Sequence, residues 1–322
     1  MHTRKITITV KSPPDGYSVK NISCRDIAYA TAVGAFSSEF YFYYCFFKSV
    51  YVNWGSGNHT ERTYKALQHV GVSESKYEVT NTSDLLQEVI ESLQNNRHCI
   101  VALRDRYCYF CEEYKEEHNA FHFVLLTGVD LTKNTVTLME YMHLRGALSE
   151  LTDADFMCKF VLPIDTFTSI WEASNQSFVD RPDIMNSLLV LQQDMTPKIK
   201  PIELLEVIIS SVEHYENDLC RLIREYNNSD HELNEMMEER TTYLGNVHVI
   251  FDLIKRYFGN TQLSSFEEKY YSCRDTVLSS LHASVMRNTP LTSTHIESLC
   301  KNVSENDSTL LNLLLQVTKM VD

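Results

Sequence analysis

Glycine and proline are scarce, 9 and 7 of 322 residues, and neither gathers into a repeat, which excludes collagen-like, linker-like and low-complexity disordered architectures. No apolar run reaches the roughly eighteen residues that a membrane-spanning helix needs. FYFYYCFF at 40–47 is apolar but far shorter. The opening MHTRKITITVKSPPDGYS lacks the apolar core of a secretory signal. Basic clusters are missing as well. With 29 Lys and Arg against 43 Asp and Glu, the formal charge is −14. That balance argues against nucleic acid, whose phosphates demand clustered cations, and equally against an anionic membrane surface. The nine cysteines are odd in number and irregularly spaced, so they do not read as a disulfide framework; a reduced, cytoplasmic protein is expected. No P-loop, dinucleotide fingerprint or G-x-S-x-G elbow occurs. Nucleotide binding and serine-hydrolase chemistry therefore have no support, and no cofactor is expected.

What is present centres on residues 99–140. Cys99–Leu103 and Phe121–Val129 are apolar and rich in β-branched and aromatic residues, and Thr135–Met139 alternates as a strand does. Gly128-Val129 and Lys133-Asn134 frame a short turn, so the last two strands form a hairpin. His122 stands at the mouth of one strand and Glu140 just past the end of the next, an imidazole and a carboxylate side by side. Upstream, Lys5–Val10 alternates as an opening strand, with turn residues at 12–16 closing it. Arg25–Phe36 is helix-compatible and largely apolar, hence a buried helix, with Cys24 in its first turn. Free N–H groups and the helix dipole favour a thiolate there, whereas the plainer reading is a small core residue. Residues 60–71 and Asn81–Leu93 are further helices. Ser149–Phe156 reads as a short helix and Phe160–Pro163 as a strand end. Beyond about Phe167 the pattern turns helical: Ile202–Tyr226, His231–Phe258, Gln262–Arg287 and Ser293–Met320 carry apolar residues at helical spacing. The expectation is an α+β domain over 1–165 followed by an all-α domain or lid over 166–322, whose surface offers a homodimer interface.

Cysteine acyl chemistry needs a base to take the thiol proton and return it to the leaving group, and a carboxylate or amide to fix the imidazole. The order Cys24, His122, Glu140 supplies these types. NISCRDIAYATAVGAFSSEFYFYY, and LRDRYCYFCEEYKEEHNAFHFVLLTGVD at 103–130, resemble the two signatures of the butirosin-pathway acyltransferase N-terminal-domain family. The resemblance covers roughly residues 15–165. It implies a papain-like, C39-peptidase-like fold and acyl transfer through a cysteine acyl-enzyme, of the kind used in secondary-metabolite biosynthesis. The donor would be an acyl or peptidyl carrier-protein thioester, or a small-molecule donor, and the acceptor an amine or a hydroxyl. On that basis Cys24 matches the nucleophile, His122 the base, and Glu140 the place where the family has an Asp. Asp105 and Tyr107 match positions beside the site and line a substrate channel. Asn21 is a candidate oxyanion donor next to the Cys24 N–H. Two alternatives stand beside this reading. One is a papain-like scaffold without catalysis that serves as a binding partner. The other is a structural zinc site at Cys108, Cys111, His118 and His122, which has zinc-ligand types but a shorter spacer than a zinc finger. The aromatic run Phe40–Phe47 is read as a core or lid contact in preference to an acyl pocket.

Overall fold

A strand buried on both faces needs no alternation, and His98–Arg104 (HCIVALR) is of that kind, buried at every residue. The computed structural model describes residues 5–10, 23–109, 121–141, 157–226, 247–259, 261–287 and 289–321. In it this segment is β3, inside an antiparallel sheet of seven strands. The others are β1 (Lys5–Thr7), β2 (Val72–Glu78), β4 (Phe121–Asp130), β5 (Thr135–Tyr141), β6 (Met157–Pro163) and β7 (Ser187–Gln193). Their order is β2-β7-β3-β4-β5-β6. β3 pairs with β4 as far as Leu126, and β1 takes over that edge at Gly128–Asp130. Gly128 makes this approach possible, because a Cβ there would stand 2.7 Å from Thr7 Cγ2 and 2.9 Å from Ile6 O. The expected hairpin joins β4 to β5. Asp130 Oδ1 accepts from the Thr132 and Lys133 N–H groups at 3.0 and 3.2 Å, and Asn134 takes φ +53°.

The sheet has two covered faces. Cys99, Val101, Leu103, Val124, Leu126, Val136 and Leu138 share one, packed against α4 (Thr82–Gln94) and α5 (Ile164–Ser177) through Leu85, Val89, Phe167, Ile170 and Trp171. The other face carries α1 (Cys24–Phe36). The Arg25 guanidinium lies 5.0 Å from the Phe123 ring centre, and Phe36 stacks on His98 at 4.0 Å. α1 therefore runs from the start of β4 towards the start of β3.

The protein is α+β, but its division differs from a single cut at residue 165. One compact unit comprises Met1–Tyr44 with Leu67–Thr196, the other Cys45–Ala66 with Pro197–Asp322. α5 and β7, both beyond or across 165, belong to the sheet unit, so 166–322 is not all helical. The reason lies in β7: Ser187–Leu191 is buried without a break, has no period-two signal, and is too short to tell from a helix segment by pattern. β2 (VSESKYE) is hard to read for the opposite reason, being a largely polar edge strand.

The described elements of the second unit are helices. They are the later parts of α2 (Ser38–Asn53), most of α3 (His59–His69), α6 (Pro201–His214), α7 (Asp218–Tyr226), α8 (Val247–Phe258), α9 (Thr261–Met286) and α10 (Ser293–Val321). The stretch Ile202–Tyr226 is thus two helices. Residues 149–156 and 231–246 lie outside the described residues. Phe40–Phe47 falls within α2 and is buried along its length, as a core contact requires. α10 packs on α6, α7 and α9. Within this unit the buried Asp307 carboxylate accepts from Trp54 Nε1 at 3.0 Å, Tyr270 OH at 2.7 Å and Asn217 Nδ2 at 3.1 Å, while Arg274 donates to Asn53 Oδ1 at 2.8 Å. Among the described residues no helix is long and apolar enough to cross a membrane.

Candidate active site

The start of α1 is set by Ser23, which is extended (φ −64°, ψ 152°) and whose Oγ accepts from the Asp26 N–H at 3.1 Å. That satisfies one of the helix's unpaired N–H groups. The same hydroxyl donates to Asp26 Oδ2, and Tyr44 OH donates to Asp26 Oδ1, both at 2.9 Å. Cys24 is the first residue of the helix; its side chain lies outside the described residues. One residue on, the Arg25 guanidinium sits over the rings of Tyr29 and Phe123, at 5.6 and 5.0 Å. Burial disfavours its charge, but Tyr29, Asp26 and Glu74 outweigh burial and keep it protonated. A fixed cation thus stands one residue from the candidate thiol, at a helix end that already favours negative charge.

His122 is the second residue of β4, directly across from Leu103 of β3. The β4–β5 register pairs Leu125 with Met139. One step outward, Glu140 faces Val124 and is diagonal to His122 on the same side of the sheet, within reach of a long side chain. Glu140 Oε1 lies 3.3 Å from His122 Nδ1. On the other side of the ring, Asp105 Oδ2 lies 3.1 Å from Nε2. Both carboxylates are 1 % exposed. Asp105 opens a 3₁₀ turn, Asp105–Tyr107, that ends β3. Its place is fixed by the Arg104 N–H donating to Ser174 Oγ at 2.9 Å and the Cys108 N–H donating to the Asp105 carbonyl at 2.9 Å. The two acids address opposite ring nitrogens, an arrangement suited to orienting an imidazole and moving its protons. Among the described residues no group of three His, Cys, Asp or Glu is placed to hold a metal ion.

The structure therefore gathers His122, Glu140 and Asp105. It also brings the first turn of α1 to the same end of the sheet, since Arg25 reaches the ring of Phe123, the neighbour of His122. Alternation turns His122 towards the α4–α5 face, while α1, which begins at Cys24, covers the other. Tyr107 packs at the margin of the sheet core, with the Arg106 guanidinium 4.9 Å from its ring centre. Asn21, Cys111 and His118 lie outside the described residues. Cys108, a candidate zinc ligand by residue type, is buried and its thiol donates to the Arg104 carbonyl at 3.3 Å. Two features of the site are absent from the reading of the sequence. The Asp105–His122 contact depends on the β3–β4 register, which a single sequence does not print. The Arg25–Tyr29 pair is one helical turn apart, a spacing that is readable. No protein-family model matches this chain, and no curated protein matches it.

Proposed function

We propose that this protein is a cysteine-dependent acyl-transfer enzyme with a papain-like arrangement in its sheet unit. Cys24 is the nucleophile, His122 the proton carrier and Glu140 the group that orients the ring. The single observation that carries the reading is the buried Glu140 carboxylate 3.3 Å from His122 Nδ1, the place of an acid that orients an imidazole. The cap and the fixed charge at the start of α1 support it. In the first half-reaction the Cys24 sulfur attacks the carbonyl of a thioester, ester or amide. The leaving thiol, alcohol or amine departs with the proton that His122 took from the cysteine. In the second half-reaction His122 deprotonates an amine, a hydroxyl or water, which attacks the acyl-enzyme and releases the Cys24 thiolate. The donor is a carrier-protein thioester or a small acyl compound.

A second reading, a papain-like scaffold that binds a partner without turnover, is favoured by one observation: both nitrogens of His122 already meet a carboxylate.

Alkylation separates the two. Iodoacetamide should modify Cys24 well before the buried thiols Cys45, Cys99, Cys108, Cys220 and Cys300; burial pushes the Cys99 thiol up to about 12, so it serves as an inert internal standard. Cys24→Ala should lower acyl transfer roughly a thousandfold or more. Labelling of Cys24 no faster than of the half-buried Cys273, with unchanged turnover in Cys24→Ala, would leave only the scaffold.

A further inference from the structure

We propose that Cys220 and Cys300 are a modification site of the second unit, a dithiol that a small-molecule disulfide oxidises to a bond fastening α7 to α10. The two residues stand 80 positions apart in the chain, a separation that leaves no mark in the sequence. In the folded unit each side chain lies over the other's backbone. Cys220 Sγ donates to the Cys300 carbonyl at 3.8 Å, and Cys300 Sγ to the Cys220 carbonyl at 3.9 Å. That reciprocal pattern sets the two thiols side by side, and the Cys300 thiol is the ionisable group that Cys220 feels most. Both are free and buried, 0 % and 5 % exposed, in an apolar cluster with Leu222, Ile223, Ile296 and Leu299. By contrast, the buried Cys108 thiol is turned to the Arg104 carbonyl of its own turn.

Polar anchors hold the two sulfurs in register. α7 is nine residues long, too short to persist alone, and its start is fixed from outside. The Leu219 N–H donates to Asn217 Oδ1 at 3.1 Å, Asn217 Nδ2 donates to the buried Asp307, and Asp218 pairs with Arg62 at 3.0 Å. Asp307 belongs to α10, about two helical turns beyond Cys300, so a polar tie joins the start of α7 to α10 beside the thiols. Two thiols held in this way meet at a high effective concentration, which favours closing the bond over leaving either sulfur tied to a small thiol. The exchange balances in two steps. The Cys300 thiolate attacks one sulfur of the oxidant, whose S–S bond breaks and releases one small thiol. The Cys220 sulfur then attacks Cys300 Sγ, displaces the second small thiol and closes the protein bond. Two protein thiols are oxidised, one small disulfide is reduced to two thiols, and the two protons leave with them. Burial pushes the Cys220 thiol up, so Cys300 acts first and the folded chain reacts slowly.

The test places the full chain in a glutathione redox buffer, both as the folded protein and by refolding from urea, so that slow access to buried sulfurs does not decide the result. Remaining thiols are trapped with N-ethylmaleimide in denaturant, and the digest is mapped without reductant. A peptide joining Cys220 to Cys300, two hydrogens lighter than the separate thiol peptides, should be the principal disulfide of the protein. Its formation should raise the thermal midpoint by about 4 °C or more, and dithiothreitol should bring the midpoint back. Cys300→Ser in the same oxidised buffer should show no such rise. Recovery of Cys220 and Cys300 as free or glutathione-bound thiols after refolding overturns the proposal, and so does a midpoint that the closed link leaves unmoved. The map of the wild-type chain decides the matter even where Cys300→Ser does not fold. Neither readout involves Cys24 or His122, so the result stands apart from the acyl-transfer reading.

Discussion

His98 stacks on Phe36 with ring centres 4.0 Å apart and donates from Nδ1 to the Ala32 carbonyl at 2.6 Å. Burial lowers its pKa from 6.5 to about 4, and the hydrogen bond to Ala32 offsets only part of that. The folded protein therefore refuses a proton that the unfolded chain accepts, so stability is full above pH 6.5 and is lost as the pH falls from 6.5 towards 4. The pKa difference corresponds to about 3 kcal/mol. Urea unfolding at pH 7 and pH 4.5 should show this loss in the wild type, and His98→Gln should flatten it. At the same scale, the place of Glu140 beside His122 is legible in the amino-acid sequence, because the β4 and β5 patterns fix which residues share a face. The contact of Asp105 with the other ring nitrogen is not. It depends on Leu103 standing across from His122 and on a 3₁₀ turn that swings the next carboxylate inward, and neither leaves a mark in local composition.

Among the elements, β4 and β5 are legible because each carries a strand pattern and Asp130–Asn134 supplies turn chemistry between them. α10 is legible because an apolar stripe at helical spacing persists over its 29 residues. β7 is not, since burial on both faces erases alternation, and this omission draws the later boundary at 165 in place of 196. β7 is hydrogen-bonded on both sides, to β2 along Val72–Glu78 and to β3 at His98–Ile100. A fragment ending at residue 165 would leave β2 without a partner and expose one apolar edge of β3, a template for edge-to-edge association. Such a fragment should be recovered as aggregate, or as a species that binds ANS and has lost near-ultraviolet circular dichroism. A soluble, cooperatively unfolding product would show that the sheet closes without β7.

For the molecule as a whole, the charge of −14 sets a long-range field that opposes any acidic partner. If the acyl donor is tethered to an acidic carrier protein, kcat/KM should rise as salt is raised from 0.01 to 0.15 M, because screening shortens the reach of the repulsion from about 30 to about 8 Å. With a small neutral donor the same titration should be flat. A fall in rate with salt would require a basic docking patch that the net charge conceals. The contact between Trp54 and Asp307 spans 253 residues, and this has a consequence for how the chain is made. A ribosome working from the N-terminus exposes the apolar second half of α2 and the adjoining Trp54 early, yet the carboxylate that secures the indole is made 253 residues later. Until Pro197 is made, the described residues of its own unit offer that helix only the first part of α3. The nascent chain should therefore be a client of holding chaperones, and a stalled or prematurely stopped message should be more harmful than a mutated one.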